Sequence, residues 1–210
     1  MKNRNIYCIK QLKTILFIAT FLLLLLLISN LYNNKLYMID ELIYPYISVT
    51  ICPPLTMFFK IITKFADIFL ILLILILVFL KNKKHAFYLA FNSVTILMIN
   101  IVLKNIFRRI RPVGINLIEE NGYSFPSGHS MISVVFYGFI MYLIWKSKLS
   151  INLKKTFCLL LYSFILLIGI SRIYLGVHYF TDVITGFCIS LLYLLIFIKI
   201  IETKKSSKML

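Results

Sequence analysis

The stretch Lys104-Asn105-Ile106-Phe107-Arg108-Arg109-Ile110-Arg111-Pro112 follows a long apolar run and ends it with a group of cations. Positive charge at the edge of a bilayer is costly, so such a cluster needs a partner or a function. Two further polar motifs lie at the edges of later apolar runs. They are Pro126-Ser127-Gly128-His129, and Ser171-Arg172 followed by His178 and Asp182. A phosphate group would account for the basic residues of these three motifs.

The composition is that of an integral membrane protein. The chain has 210 residues, of which 61% are hydrophobic and 14% are charged. Its mean hydropathy is +0.94. A soluble domain of this size could not bury that much apolar surface, so the composition predicts an all-α bundle of membrane helices. Scarce alanine with abundant Ile, Leu, Phe, Lys and Asn indicates an AT-rich genome, and we expect a bacterial one.

Six apolar runs are long enough to approach the roughly 20 residues that a membrane helix requires. We therefore predict six transmembrane helices within a single membrane-embedded domain, 1–210. The runs lie near 14–29, 55–80, 86–103, 127–145, 156–171 and 179–198. The first run resembles a signal peptide in its basic flank, but no small-x-small cleavage site follows it. We interpret it as a retained helix.

The net charge of +16 would also suit a nucleic-acid-binding protein. The basic residues, however, lie mostly in short clusters between apolar runs, where they set orientation and attract anionic lipid. We therefore expect a bilayer and a lipid as partners, and neither nucleic acid nor a protein partner. With a cytoplasmic N-terminus, most of the 23 basic residues fall on the inside, in these clusters: Lys2, Arg4, Lys10 and Lys13; Lys81, Lys83 and Lys84; Lys146, Lys148, Lys154 and Lys155; Lys199, Lys204, Lys205 and Lys208.

The same orientation places both termini in the cytoplasm and all three polar motifs outside, where positive charge is otherwise sparse. The basic motif residues therefore have no role in setting topology. The prediction is a multi-pass plasma-membrane protein with an extracytoplasmic site. An alternative, in which Arg108 to Arg111 form a cytoplasmic anchor, becomes tenable only without the first span.

The segment 30–54 is too polar and too interrupted by proline to span, so we expect an outer loop with a short interfacial helix. Lys60, Lys64 and Asp67 follow it at helical spacing on one predicted face. Snorkelling at the outer interface explains them more simply than a contribution to a substrate mouth. The four cysteines, Cys8, Cys52, Cys158 and Cys188, have no metal-binding spacing, so we expect neither a disulfide nor a metal.

The spacing of Lys104 and Arg111 is nearly two helical turns. If the helix persists, their side chains share a face about 10 Å apart along the axis. Both are long enough to converge on one anion, with the arginine supplying a planar fork and the lysine a compact charge. Pro112 biases Arg111 away from helical geometry.

The second motif opens a predicted helix. Ser127 is a preferred N-cap residue, Gly128 permits close approach of the backbone, and the free N–H groups of a first turn bind anions. A plain capped helix entrance would explain Ser127 and Gly128. It gives no reason for His129 at the membrane edge.

In the third motif, His178 and Asp182 are four residues apart and share a helical face. A carboxylate on one ring nitrogen leaves the other as an oriented nucleophile. Arg172 reaches the same side.

Phosphoryl transfer needs positioning and charge stabilisation, and His129 would protonate the leaving oxygen. Because no carboxylate cluster remains to hold Mg²⁺, the sequence favours metal-independent chemistry without a cofactor.

These residues resemble the three-part pattern of the type 2 phosphatidic acid phosphatase superfamily: K-x6-R-P, P-S-G-H and S-R-x5-H-x3-D. The match holds at Lys104, Arg111 and Pro112, at Pro126 to His129, and at Ser171, Arg172, His178 and Asp182. The resemblance implies a six-helix fold with an outward-facing site. It implies a phosphohistidine on His178, activation by Asp182 and His129 as general acid. It also implies phosphate binding by Lys104, Arg111, Ser127, Gly128 and Arg172.

Within the superfamily, the intact Gly128 and the preceding Tyr123-Ser124-Phe125 are more similar to the phosphatidylglycerophosphatase B type. Many undecaprenyl-diphosphate phosphatases carry aspartate at that glycine. The expected reaction is hydrolysis of phosphatidylglycerophosphate, phosphatidic acid or undecaprenyl diphosphate. Two alternatives remain: a lipid phosphotransferase using the same site, and a non-catalytic protein that binds or transports anionic lipid.

Overall fold

The computed structural model describes residues 2–33, 35–114 and 116–206, and every regular element within those ranges is an α-helix. The predicted all-α class is therefore confirmed. The helices are α1 (Lys2–Tyr32), α2 (Leu36–Ser48), α3 (Pro53–Lys64), α4 (Ile68–Lys81), α5 (Lys83–Phe107), α6 (Gly128–Lys146), α7 (Ile151–Tyr174) and α8 (Phe180–Ser206).

Five stretches of the described chain are long and apolar enough to cross a membrane. They are Thr14–Tyr32, Lys83–Phe107, Gly128–Lys146, Ile151–Tyr174 and Phe180–Thr203. These correspond to five of the six predicted spans; four are extended by a few residues, and Gly128–Lys146 is shifted by one residue. The protein is thus a multi-pass membrane protein.

The predicted second span is not one continuous helix. The chain turns at Phe65–Asp67 between α3 and α4, and Asp67 has an extended backbone immediately before α4. The Tyr137 hydroxyl donates a hydrogen bond to the Phe65 carbonyl across 2.6 Å, which fixes the interruption. With 14 residues, α4 is about 21 Å long, which is less than the roughly 30 Å hydrocarbon core. Lys64 and Asp67 therefore do not share the predicted helical face.

Helix α2 lies within the predicted outer loop and confirms the short helix expected there. It is amphipathic, and its two buried side chains are Leu36 and Asp40. It packs against α7 and α8. A buried carboxylate on a short surface helix requires a partner in the bundle, and that partner lies in the candidate site.

Helix α6 is the centre of the bundle and packs against α5, α7 and α8. Its eight consecutive residues from Ser130 to Tyr137, about two turns, are all buried. Two asparagines of α5 bond to the main chain of α6 and its approach segment. Asn92 donates to the Val135 carbonyl across 3.3 Å, and Asn100 donates to the Pro126 carbonyl across 3.0 Å. Such contacts between helices are the usual role of asparagine in a span.

The outward faces of the long helices carry large apolar side chains that suit contact with lipid, including Leu22, Phe87 and Leu159. The predicted orientation of the termini remains a prediction. Lys208 and the side chains of the N-terminal basic cluster lie outside the described residues. Cys52, Cys158 and Cys188 are free thiols, and the side chain of Cys8 is likewise outside the described part.

Candidate active site

The three motifs meet at one end of the bundle because α5, α6, α7 and α8 alternate in direction. Motif residues therefore lie at the C-terminal ends of α5 and α7 and at the N-terminal ends of α6 and α8. The structure brings all eight predicted site residues into this region: Lys104, Arg111, Ser127, Gly128, His129, Arg172, His178 and Asp182. Their individual roles remain predictions.

His178 lies in the turn between α7 and α8, two residues before α8 begins, and is 2% exposed. Its Nδ1 is 3.5 Å from Oδ2 of Asp182 and 3.4 Å from the Ser124 hydroxyl. Its Nε2 is 3.3 Å from Nη1 of Arg111. One ring nitrogen thus faces a carboxylate and the other faces a cation. Burial lowers the pKa of His178 to about 3, against the opposing effect of Asp182. The imidazole is therefore neutral at physiological pH.

Asp182 is fully buried and its carboxylate is held from several sides. Oδ2 accepts hydrogen bonds from the Ser124 hydroxyl and, across 2.9 Å, from the Tyr179 amide. Oδ1 accepts from Nη1 of Arg109 across 2.6 Å. A carboxylate with this many donors is charged and fixed in orientation. It is therefore well placed to orient the ring of His178.

Arg109 links Asp182 to α2 and is not among the site residues predicted from the sequence. Its Nη2 donates to Oδ2 of Asp40 across 2.7 Å, and its guanidinium carbon lies 4.7 Å from the ring centroid of Tyr37 and 4.1 Å from that of Tyr179. Burial alone would lower the pKa of Arg109, but Asp182 and Asp40 raise it overall. Asp40 was also missed. Its carboxylate lies 69 positions from Arg109 in sequence, and no local pattern joins the two residues.

Asp40 also anchors the first turn of α8. It accepts hydrogen bonds from the Thr181 amide across 2.9 Å and from the Thr181 hydroxyl across 2.7 Å. Arg109 donates to the same hydroxyl oxygen across 2.8 Å. Burial raises the pKa of Asp40 despite these contacts. The outer helix α2 is thereby fixed to the turn that carries Asp182.

Lys104 and Arg111 do not lie on one continuous helix, since α5 ends at Phe107 and Arg108 has the left-handed backbone conformation, φ +47°. The two side chains still converge. Lys104 donates to the Tyr123 carbonyl across 2.5 Å. Arg111 donates to three carbonyl oxygens, across 2.7 to 3.0 Å, on Asn121, Gly122 and Val177. Carbonyl partners orient these cations without cancelling their charge.

Arg172 is 1% exposed and has a carboxylate partner that the sequence analysis missed. Its Nη2 donates to Oε1 of Glu120, and its Nη1 donates to the Thr63 hydroxyl across 2.6 Å. Oε2 of Glu120 is 3.8 Å from Nη2 of Arg111. Burial alone would raise the pKa of Glu120, but Arg172 holds it below its usual range. A charged carboxylate therefore bridges two of the predicted phosphate-binding arginines.

Ser127 caps α6 as predicted and is fully buried. Its amide donates to the carbonyl of Asp182 across 3.2 Å, and its hydroxyl oxygen accepts from the Ser130 hydroxyl across 2.9 Å. These contacts join the second motif to the third. At Gly128, a Cβ would lie 3.0 Å from the Asn100 side-chain oxygen, so the close approach expected of this glycine is present.

His129 is paired with Asp67, because its Nε2 lies 3.1 Å from Oδ1 of that aspartate. The turn between α3 and α4 is what brings Asp67 to the site. Snorkelling at the interface therefore does not describe Asp67, although Lys60 and Lys64 are exposed.

A cavity of about 350 Å³ borders His178 on the side of α2. It is mostly apolar in character, with Tyr37, Tyr44, Val113 and Tyr179 among its walls. The two arginines bridged by Glu120 are not part of its lining. This cavity is thus separate from the position where the Arg111 and Arg172 side chains converge, although His178 borders both.

Comparison with known proteins relates this site to a family. The sequence profile of the PAP2 superfamily matches residues 84–206, which contain all three motifs. The chain belongs to the PAP2 superfamily. It is similar to phosphatidylglycerophosphatase B of Bacillus subtilis (strain 168), with 42% identity over 96 residues, covering 45% of this chain and 47% of that protein. The matched region thus spans about half the length of that curated relative.

Two solved structures resemble most of the fold. The crystal structure of the PAP2-type phosphatidylglycerolphosphate phosphatase from Bacillus subtilis superposes with a TM-score of 0.82 and 30% identity, covering 89% of this chain and 96% of that one. The crystal structure of Aquifex aeolicus LpxE superposes with a TM-score of 0.61 and 25% identity, covering 74% and 92%. The similarity to the first of these structures therefore extends beyond residues 84–206, the part that the family profile matches.

Proposed function

We propose that this PAP2 protein is a metal-independent lipid phosphatase that hydrolyses a phosphomonoester or diphosphate of a membrane lipid. The observation that carries the proposal is the position of His178, with Asp182 at one ring nitrogen and Arg111 at the other. A neutral imidazole oriented by a carboxylate is a nucleophile, and a guanidinium beside its free nitrogen places an anion there. Candidate substrates are phosphatidylglycerophosphate, phosphatidic acid and undecaprenyl diphosphate.

The reaction proceeds in two steps. Nε2 of His178 attacks phosphorus, the bond between phosphorus and the lipid oxygen breaks, and His129 gives its proton to that oxygen. The first product is the dephosphorylated lipid, and the phosphoryl group remains on His178. Water then attacks phosphorus, His129 takes one proton of that water, the bond between phosphorus and Nε2 of His178 breaks, and inorganic phosphate leaves. Asp67 supports His129 in both directions of proton transfer because the two side chains are 3.1 Å apart.

The cations of the site take the place that a metal ion has in other phosphoryl-transfer enzymes. Lys104, Arg111 and Arg172 stabilise the charge on the equatorial oxygens of the transferred group. The first turn of α6, at Ser127 and Gly128, contributes the positive end of its helix dipole. Lys104 and Arg111 donate to neutral carbonyl oxygens, which orients both cations without cancelling their charge.

The membrane arrangement proposed with this function has six crossings, with α3 and α4 together forming the second. Both termini then lie in the cytoplasm and the site opens on the extracytoplasmic face. The apolar cavity next to His178 suits the part of the lipid headgroup that adjoins the phosphate.

The test is phosphate release by the purified protein in detergent with EDTA present, measured on the three candidate lipids. We expect release from at least one of them and none after His178→Ala. His85→Ala is the matched control, since His85 is exposed near the start of α5, at the far end of that helix from the site. Release from none of the lipids, or full activity in His178→Ala, would contradict the proposal. Labelled acceptor lipid without free phosphate would instead indicate a phosphotransferase.

A further inference from the structure

Glu120 occupies the position where an anion is expected. Its two carboxylate oxygens face two different guanidinium groups, those of Arg172 and Arg111. It lies in the segment between α5 and α6, and its side chain is 27% exposed. The neighbouring Glu119 is exposed. One of two adjacent acidic residues is therefore turned inward onto the cations.

Arg172 has a donor that this carboxylate does not use. Nη1 and Nη2 are bonded to Thr63 and Glu120, while Nε is buried and has no hydrogen-bond partner among the described residues. A buried unpaired donor is costly. A planar carboxylate brings only two oxygens to the site, whereas a terminal phosphate brings three. The site is thus incompletely satisfied by Glu120 and has a donor for a further ligand oxygen.

We propose that Glu120 is a specificity-determining residue: it holds the phosphate position in the free protein, and a dianionic terminal phosphate displaces it while a monoanionic phosphodiester does not. The inference rests on the proposed function, because it takes Arg111 and Arg172 as phosphate ligands. It adds to that function a residue by which the site distinguishes a terminal phosphate from a phosphodiester, through charge and oxygen count.

The physical basis is a competition between anions for the same two arginines. A phosphodiester carries one charge and two free oxygens, so it offers the arginines no more than Glu120 already does. A terminal phosphate has a second pKa near 6 and is mostly dianionic at pH 7. It therefore brings an additional charge and a third oxygen for Nε of Arg172. Phosphodiester lipids form the bulk of the bilayer around the site, so a competitor fixed in the protein keeps them from occupying it.

The test compares Glu120→Gln with Glu119→Gln, which removes the same charge from an exposed neighbour. Purified proteins in detergent at about pH 8 are titrated with orthophosphate, and binding is followed by its stabilisation against thermal unfolding. Inhibition of turnover by phosphatidylglycerol, a phosphodiester lipid, is measured in mixed micelles. Removing a charged competitor is expected to tighten orthophosphate binding about tenfold. The mole fraction of phosphatidylglycerol that half-inhibits turnover is also expected to fall about tenfold.

We expect Glu119→Gln to behave as wild type in both measurements. If Glu120→Gln does not fold, Glu120→Asp serves instead, because its shorter side chain reaches the arginines less well and should tighten orthophosphate binding by a smaller factor. Equal orthophosphate affinity in wild type and the Glu120 variants would overturn the role of Glu120 and leave the phosphatase proposal standing. Tighter binding in Glu120→Gln without turnover of any lipid by wild type would overturn the phosphatase proposal alone. No orthophosphate binding by any of the proteins would overturn the role of Glu120 alone, because turnover of lipid by wild type decides the phosphatase proposal.

Discussion

Arg109 donates from Nη1 to Oδ1 of Asp182 across 2.6 Å, in a contact where both side chains are almost fully buried. Arg109 lies between the lysine and the arginine of the first motif but is not part of its pattern. The contact orients the carboxylate that in turn faces His178. Arg109 is therefore a positioning residue, acting on the proposed nucleophile through Asp182.

Replacing Arg109 with glutamine is expected to lower kcat at least tenfold with little change in KM. The reason is that Arg109 contacts Asp182 and not the phosphate position. Breaking a buried ion pair on one side also costs about 3–5 kcal/mol of stability. Steady-state kinetics on the preferred lipid gives the two parameters, and Arg108→Gln is the control, since that neighbouring arginine is exposed. A normal kcat in Arg109→Gln would contradict the positioning role.

The contact between Asp40 and Arg109 predicts that α2 contributes to stability. Asp40→Asn leaves the charged donor Arg109 with a weaker acceptor, which should cost about 1.5–3 kcal/mol. In a chain of this length each kcal/mol shifts Tm by about 2–4 °C. We therefore expect Tm to fall by roughly 3–12 °C, measured in detergent by loss of helical signal. Glu41→Gln, on the exposed side of α2, should leave Tm within about 1 °C of wild type. Equal Tm values for the two variants would show that the buried pair has no net effect.

The lowered pKa of His178 predicts loss of stability in acid. Its pKa is about 3 in the folded protein and near 6.5 in the unfolded chain. Between those values the unfolded state binds more protons, so stability falls as pH decreases from about 6.5 toward 3. One such group contributes at most about 1.4 kcal/mol per pH unit.

The measurement is thermal unfolding of wild type and His178→Asn at several pH values across that window. The variant should lose less stability per pH unit than wild type. His85→Asn serves as the control because His85 is exposed, and it should follow the wild-type curve. An unchanged slope in His178→Asn would show that His178 is not buried in the neutral form.

The close approach at Gly128 predicts a cost for added volume. An alanine Cβ would lie 3.0 Å from the Asn100 side-chain oxygen, and Asn100 holds the Pro126 carbonyl. Gly128→Ala should therefore reduce stability by about 1–3 kcal/mol through overpacking. Combined with Asn100→Ala, which removes the clash, the loss should be less than the sum of the two single losses. Strict additivity, measured by thermal unfolding, would contradict the clash.

The sequence was sufficient to predict the helical class, five of the crossings and the residues of the three motifs. It was misleading over 55–80, where hydropathy is continuous but the chain turns at Phe65–Asp67. Asp67 was the residue that could have indicated this turn. An acidic residue inside an apolar run is costly unless it is paired. The partner of Asp67 is His129, which the second motif already predicted as a site residue.

Arg109, Asp40 and Glu120 could not be identified from local pattern. Asp40 lies in a polar segment where a carboxylate is normally solvated, and its contacts are with Arg109 and Thr181, far along the chain. Glu120 is one of two adjacent acidic residues, and only the fold determines which of them faces the arginines. Pairing between distant charges depends on tertiary structure, and this chain provides no spacing rule that would reveal it.

The central claim is that the phosphoryl group is carried by His178, and the most direct test is to trap it there. Wild-type protein is mixed with lipid carrying a labelled terminal phosphate, quenched in alkali within milliseconds, and the labelled peptide is located by mass spectrometry. The account predicts label on His178 that is stable in alkali and lost in acid, with none in His178→Ala. Rapid turnover of wild type without label on His178, or turnover that persists in His178→Ala, would contradict it.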